Sequence, residues 1–120
     1  MNLDALKIAK EISEIYENVS QPLDLTPTGL IAELDHRCQW LARSSQLEAD
    51  CQFIHDRARG KNCEKYLKVT ATIMRELLAK DCAEESRLLK LADRLNSTVT
   101  HQMDSIRTLI SYEKESMRSR

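Results

Sequence analysis

Glycine, proline and aromatic residues are scarce in this sequence. Its 120 residues include two glycines, two prolines, one tryptophan, one phenylalanine and three tyrosines. Tight turns between strands depend on glycine and related residues to reach their backbone angles, and a sheet of this size needs many such turns. The composition therefore excludes a mainly β fold and favours a single all-α domain with an aliphatic core.

Long apolar runs and paired cysteine motifs are also missing. No run approaches the ~20 apolar residues that cross a bilayer, and Asp4, Glu11 and Glu14 interrupt the region where a secretory signal would lie. The cysteines are spaced as small buried side chains are in reduced proteins. We therefore expect a cytoplasmic protein with no membrane partner. The four cysteines are Cys38, Cys51, Cys63 and Cys82.

Apolar residues recur at helical spacing through most of the chain, with breaks at a proline-containing linker, at Gly60 and at a polar run from Lys80. This pattern predicts a four-helix bundle or an elongated helical hairpin assembly, with antiparallel packing of two long and two shorter helices. Polar sequence from Ser111 onward predicts a frayed C-terminal end. The predicted helices lie near residues 3–19, 27–59, 62–80 and 83–117.

Residues at the predicted helix ends fit the local rules for capping. Thr26 can cap the second helix, Pro27 suits its first position, and Gly60 can end it in the left-handed conformation. Asn2 and Asn62 are placed to cap the first and third helices. The short connection after Gly60 predicts that helices 2 and 3 pack antiparallel.

The fourth helix has its own start signal. Asp81, with Glu84 three positions later, has the form of a capping box, in which each side chain bonds the other's backbone amide. This pair predicts that helices 3 and 4 are separate, even though no glycine or proline lies between Lys61 and the C-terminus.

The second helix has two apolar stripes, which predict two packing neighbours in succession. The first is formed by Leu30, Leu34, Cys38 and Leu41, and the second begins at Trp40, roughly 130° around the helix. Two long helices cannot be covered fully by two short ones, so we expect self-association, with a dimer favoured. The candidate interface residues are Trp40, Leu47, Ile54, Leu95, Val99, Ile106 and Ile110.

Three patterns resemble reactive or metal-binding sites but are incomplete. Glu33 and His36 have the spacing of a diiron ligand pair, yet no second such pair exists. Cys51 and His55 are one turn apart and lack a third zinc ligand, because Cys63 lies beyond the predicted turn. Cys63 begins predicted helix 3 but has no activating histidine. We therefore predict no metal, no cofactor and no catalytic residue.

A local basic block is the best functional lead in a chain with 18 basic and 19 acidic side chains. Residues 57–75 contain six basic side chains and a single acid, Glu64. The expected N-terminus of helix 3 would add free amides at the same hairpin tip, which favours anion binding. The candidate anion or nucleic-acid contacts are Arg57, Arg59, Lys61, Lys65 and Lys68.

Two functions therefore follow from the sequence. The first is a non-enzymatic helical interaction or assembly module that self-associates and has a possible protein partner. The alternative is an accessory nucleic-acid-binding protein that contacts phosphates through the basic hairpin tip at residues 57–68.

Overall fold

The molecule is an elongated helical rod. The computed structural model describes residues 3–119, of which 89% are helical, and no strand occurs within that range. Its principal dimensions are 74 × 28 × 18 Å, and its radius of gyration is 19.9 Å. A compact domain of this length would have a radius of gyration of about 14 Å. The predicted all-α fold class is confirmed.

Four α-helices form the rod. The first and last lie at or near the predicted ranges 3–19 and 83–117, and the last is helical to its final described turn. Asn2, the predicted cap of the first helix, lies outside the described residues. The helices are α1 (Leu3–Val19), α2 (Pro27–Cys63), α3 (Ala71–Asp81) and α4 (Ala83–Arg118), with a 3-10 turn at Glu64–Tyr66.

The start of α2 is fixed by a small network of hydrogen bonds. Thr26 is the cap as predicted, and its hydroxyl oxygen accepts from the Gly29 amide at 3.1 Å. The Asp24 carboxylate accepts in turn from the Thr26 amide at 3.1 Å and from the Thr26 hydroxyl at 2.8 Å. These bonds from Thr26, first from its backbone and then from its side chain, lower the pKa of Asp24.

The end of α2 differs from the prediction. The helix continues through Gly60 to Cys63, and no glycine within residues 3–119 has a positive φ, so Gly60 does not end it. Asn62 lies inside α2, where its side-chain amide donates to the Ala58 carbonyl at 2.8 Å. The prediction that helix 3 starts at Asn62 was therefore wrong. Helix α3 starts after Thr70, whose hydroxyl accepts from the amide of its third residue at 3.4 Å.

The predicted capping box at the start of α4 does not form. The residue that precedes α4 is Cys82, which makes no side-chain capping bond. The Asp81 carboxylate instead accepts a hydrogen bond of 2.5 Å from the Tyr66 hydroxyl. This bond ties the turn after α2 to the end of α3, so Asp81 stabilises the tip of the rod rather than the start of α4.

Helices α2 and α4 lie beside each other along most of the rod. Arg37 contacts Gln102 near one end, Ser44 bonds Asn96 further along, and the Asn62 amide lies 3.9 Å from the Cys82 sulfur at the other end. Successive residues of α2 therefore contact residues of falling number, from Gln102 through Asn96 to Cys82. The buried residues of this pair that belong to the main core are Leu47, Cys51, Leu88, Ala92, Leu95, Val99 and Met103.

Helix α1 packs along this pair from the groove near the end of α2 to Gln102 of α4. It adds Ala5, Ile12, Ile15 and Val19 to the same core. Its C-terminal end is held where the Gln102 amide donates to the Val19 carbonyl at 2.9 Å. The earliest turns of α2 and the last turns of α4 therefore extend beyond α1, and the linker residue Leu23 lines a depression with Arg37 and Ser105.

A surface ion pair ties α1 to α2. The Arg43 guanidinium donates to both carboxylate oxygens of Glu11, at 2.6 and 2.7 Å. These hydrogen bonds lower the pKa of Glu11, because they stabilise its charged form. A lowered pKa means that this contribution to stability is present at neutral pH and is lost as the pH falls through the lowered value. Both side chains are partly exposed, so the pair is worth at most about 1 kcal/mol.

Arg37 is buried at a point where the apolar spacing of α2 predicted that Cys38 would be buried. Arg37 is 1% exposed, whereas Cys38, which the first apolar stripe was expected to bury, is exposed. The Arg37 guanidinium donates to Gln102 at 2.7 Å and to the Glu33 carboxylate at 2.5 Å, and it lies 5.4 Å from the centre of the Trp40 ring. These contacts compensate the burial of its charge.

The two glycines provide a test of the corrected helix boundary. No atom lies within 4 Å of a Cβ at Gly60, so Gly60→Ala should raise the free energy of unfolding by about 0.5–1 kcal/mol because it favours the helix. At Gly29 a Cβ would lie 2.2 Å from the Asp24 Cγ, so Gly29→Ala should displace this carboxylate and cost about 1 kcal/mol. Thermal or urea unfolding measures both. A destabilising Gly60→Ala would mean that α2 ends at Gly60 after all.

Candidate functional site

All five residues of the predicted basic block are exposed. Arg57, Arg59 and Lys61 lie in the last turns of α2, Lys65 in the 3-10 turn, and Lys68 in the connection to α3. None of them forms an ion pair with any residue in the described range 3–119. Their charges are therefore open to solvent and to a ligand.

Four of the five residues are divided between two surfaces, and Lys68 lines neither of them. Three members of the block lie on one face at four-residue spacing and line a groove of about 710 Å³. Arg59 instead lines a smaller depression beside His55 and Arg75. The groove also contains the acids Asp4, Asp50 and Glu85, so its field is mixed in sign. The basic residues of the groove are Arg57, Lys61 and Lys65, and its apolar residues include Ile8, Phe53 and Ile54.

The amide component of the predicted anion site is not at the expected place. It required helix 3 to begin at Asn62, among the basic residues, whereas α3 begins at Ala71. One of the first free amides of α3, that of Ile73, is already bonded to the Thr70 hydroxyl. Anion binding at the tip therefore depends on side-chain charge alone.

The predicted interface residues divide into two groups. Leu47, Leu95, Val99 and Ile106 have no exposed area within a single chain, because α1, α2 and α4 bury them. Their side chains are closed to direct contact with a second copy in this conformation. The other three predicted interface residues are half-buried, and these are Trp40, Ile54 and Ile110.

Trp40 lies at the junction between the two stripes of α2. Its ring is half-buried, packs against the main core, and is flanked by His36 at 5.9 Å and by the Arg37 guanidinium. The cation over the ring contributes about 0.5–2 kcal/mol, depending on how far it is desolvated. Trp40 therefore helps to accommodate the buried Arg37 charge.

The first stripe of α2 is only partly covered. Leu30 is 2% exposed, but Ile31 is 60% exposed and Cys38 is exposed, and Leu34 and Leu41 are half-buried. At ~100° per residue, these last four side chains fall within about 80° of arc on α2. They form a continuous apolar strip, which we call the open stripe. It lies in the part of α2 where the helix begins to extend beyond α1.

Sequence reasoning missed several exposed apolar residues. Phe53 falls outside both stripes of α2, and that departure is a signal of exposure. Met117 continues the apolar seam of α4, so its spacing gave no such signal. One group lies near the basic tip and the other near the opposite end of the rod. The tip group contains Phe53, Leu67, Val69 and Ile73, and the other group contains Leu25, Leu109, Tyr112 and Met117.

The patterns that resembled reactive sites are not brought together. No group of three or more histidine, cysteine, aspartate or glutamate residues in the range 3–119 is placed to hold a metal ion. Glu33 is engaged by Arg37, and His36 contacts Trp40. Cys63 lies at the C-terminal end of α2, with its sulfur 3.6 Å from that of Met74, rather than at a helix N-terminus as predicted.

Among residues 3–119, every helix is too short or too polar to cross a bilayer.

Comparison with known proteins gives no match to a family model, a curated protein or a solved structure. The exposed surfaces described above are therefore the observations that bear on function.

Thiol reactivity tests the burial of the cysteines. Cys51 is 1% exposed, and its burial raises its pKa to about 11, so it should remain a protonated and unreactive thiol at neutral pH. Burial also raises the pKa of Cys82. With a disulfide reagent at low protein concentration, Cys38 should react first and Cys63 more slowly. The two buried thiols should react only after unfolding. A fast phase that survives in Cys38→Ser would contradict this order.

Proposed function

We propose that the protein is a non-enzymatic helical interaction module that self-associates to a dimer through the open stripe of α2. In this proposal α2 and α4 form an antiparallel pair, α1 packs on one side of it, and a second copy covers the other side. The free state of all four cysteines supports a reducing, cytoplasmic compartment.

The partial exposure of the open stripe is the observation that carries the proposal. Ile31 is 60% exposed, although it continues the apolar spacing of α2. Leu30, the residue before it, is only 2% exposed. Burying an aliphatic side chain of this size stabilises a complex by about 1.5–3 kcal/mol. In a dimer with two-fold symmetry, each such contact occurs twice. Covering the open stripe with a second copy would therefore bury apolar surface in the part of α2 that extends beyond α1.

A matched pair of substitutions on α2 tests the dimer. Ile31→Asp should weaken it by roughly a thousand-fold, because about 2 kcal/mol is lost at each of two symmetric positions. Phe53→Asp is the control, because Phe53 is 65% exposed on the same helix but outside the open stripe. Light scattering should give a mass above 13.8 kDa for the wild type and the control, and 13.8 kDa for Ile31→Asp.

Cysteine labelling locates the interface independently. Because Cys38 belongs to the open stripe, its reaction with a disulfide reagent should slow as the wild-type concentration rises. The rate should stay constant for Ile31→Asp. A wild type that remains at 13.8 kDa at high micromolar concentration would exclude self-association, and a dimer with unprotected Cys38 would exclude this interface.

A second candidate function is the binding of nucleic-acid phosphates at the basic tip. The alignment of Arg57, Lys61 and Lys65 along one groove favours it, because residues at this spacing can follow a phosphate backbone together. The acids in the same groove weaken the field, so we rank this function below self-association.

The salt dependence of binding tests this second function. If three basic side chains meet phosphates, the logarithm of the affinity for duplex DNA or RNA should fall against the logarithm of salt concentration with a slope of roughly −3. Lys61→Glu with Lys65→Glu should abolish most of the binding measured by fluorescence anisotropy. Lys114→Glu, an exposed change on α4, should have little effect. Absence of binding at low salt would remove this candidate.

A further inference from the structure

The tip of the rod exposes aliphatic side chains that the core does not use. Leu67 is 75% exposed, Val69 38% and Ile73 48%, all within the segment that connects α2 to α3 and begins α3. Helix α3 contributes a single buried residue, Leu78. Exposed aliphatic residues grouped within seven positions of sequence are typical of surfaces that bind a partner or a membrane.

Basic side chains surround these aliphatic residues. Lys65 and Lys68 flank Leu67 in the sequence, with Lys61 before them and Arg75 after, and all four are exposed. None of them forms an ion pair with a residue in the range 3–119. Glu64 is the only acid between residues 57 and 75. The tip therefore combines an apolar centre with a margin that is basic around Leu67, while Lys61 and Lys65 also share a groove with Asp4, Asp50 and Glu85.

This combination discriminates between two kinds of anionic partner. A nucleic acid would neutralise the lysines but would leave Leu67 and Val69 in water, because bases stack on aromatic rings. The only aromatic residue of the segment, Tyr66, is half-buried and its hydroxyl is bonded to Asp81. An anionic bilayer satisfies both features, because its headgroups attract lysine and its acyl boundary takes up aliphatic side chains.

We propose that the tip at residues 61–75 binds the surface of an anionic lipid bilayer, with Leu67 and Val69 inserted at the acyl boundary and Lys65 and Lys68 on the headgroups. The sequence expectation of no membrane partner was based on net charge and on the lack of long apolar runs. Neither property describes a local tip. This binding is independent of self-association, because the open stripe lies twenty to thirty residues, or roughly 30–45 Å, away along α2.

Co-sedimentation with vesicles tests the proposal. The protein should bind vesicles of phosphatidylcholine mixed with phosphatidylserine, should not bind phosphatidylcholine alone, and should be released by salt because the attraction is screened. Leu67→Ser should weaken binding roughly ten-fold. Lys65→Gln and Lys68→Gln should each weaken it roughly five-fold. Tyr112→Ser is the matched control, because Tyr112 is 70% exposed at the opposite end of the rod, and it should leave binding unchanged.

Three outcomes would overturn the proposal. The first is absence of binding to phosphatidylserine vesicles by a protein with a helical circular dichroism spectrum. The second is equal binding by Leu67→Ser and the wild type, which would leave only non-specific charge attraction. The third is binding of DNA or RNA through Lys65 and Lys68 without any vesicle binding, which would assign the basic residues to nucleic acid.

Discussion

The contact between α2 and α4 determines where every other element lies, and buried polar groups set its register. Near one end, Arg37 bonds Gln102, whose amide also holds the last turn of α1. Further along, Ser44 and Glu48 both bond Asn96. A shift of one helix along the other would break the Arg37–Gln102 bond and the bonds of Asn96, at a cost of about 1–3 kcal/mol for each buried polar group left without a partner. Aliphatic contacts alone would tolerate such a shift far better.

Much of the helical framework could be predicted because its signals are local. Thr26 and Pro27 fix the start of α2 through one turn of backbone, and the apolar period of α4 identifies its buried face without knowledge of a partner. Gly60 was misinterpreted because glycine ends a helix only where the chain adopts a left-handed angle. There the chain continues as helix, and the cap that starts α3 is Thr70.

The functional surfaces were harder to predict, because a hydrophobic pattern does not show which polar residues are buried. Arg37 and Ser44 lie in the seam that faces α4, at the spacing of core residues, while Cys38 one position away faces solvent. For the same reason four of the seven predicted interface residues belong to the core of one chain. Ile31 is exposed because α1 does not extend along that part of α2, and Leu67 is exposed because α3 buries little apolar surface. Neither cause can be read from the residues at those two positions.

The confinement of the main core to the middle of the rod has a consequence for motion. Amide hydrogens in the central turns of α2 and α4 exchange only when the whole core opens, whereas those of α3 exchange after a local opening that gives up little more than Leu78 and the bond between Tyr66 and Asp81. We therefore expect the tip to open locally more often than the rod unfolds. Its resistance to opening is set by the few contacts of α3 and not by the stability of the molecule as a whole.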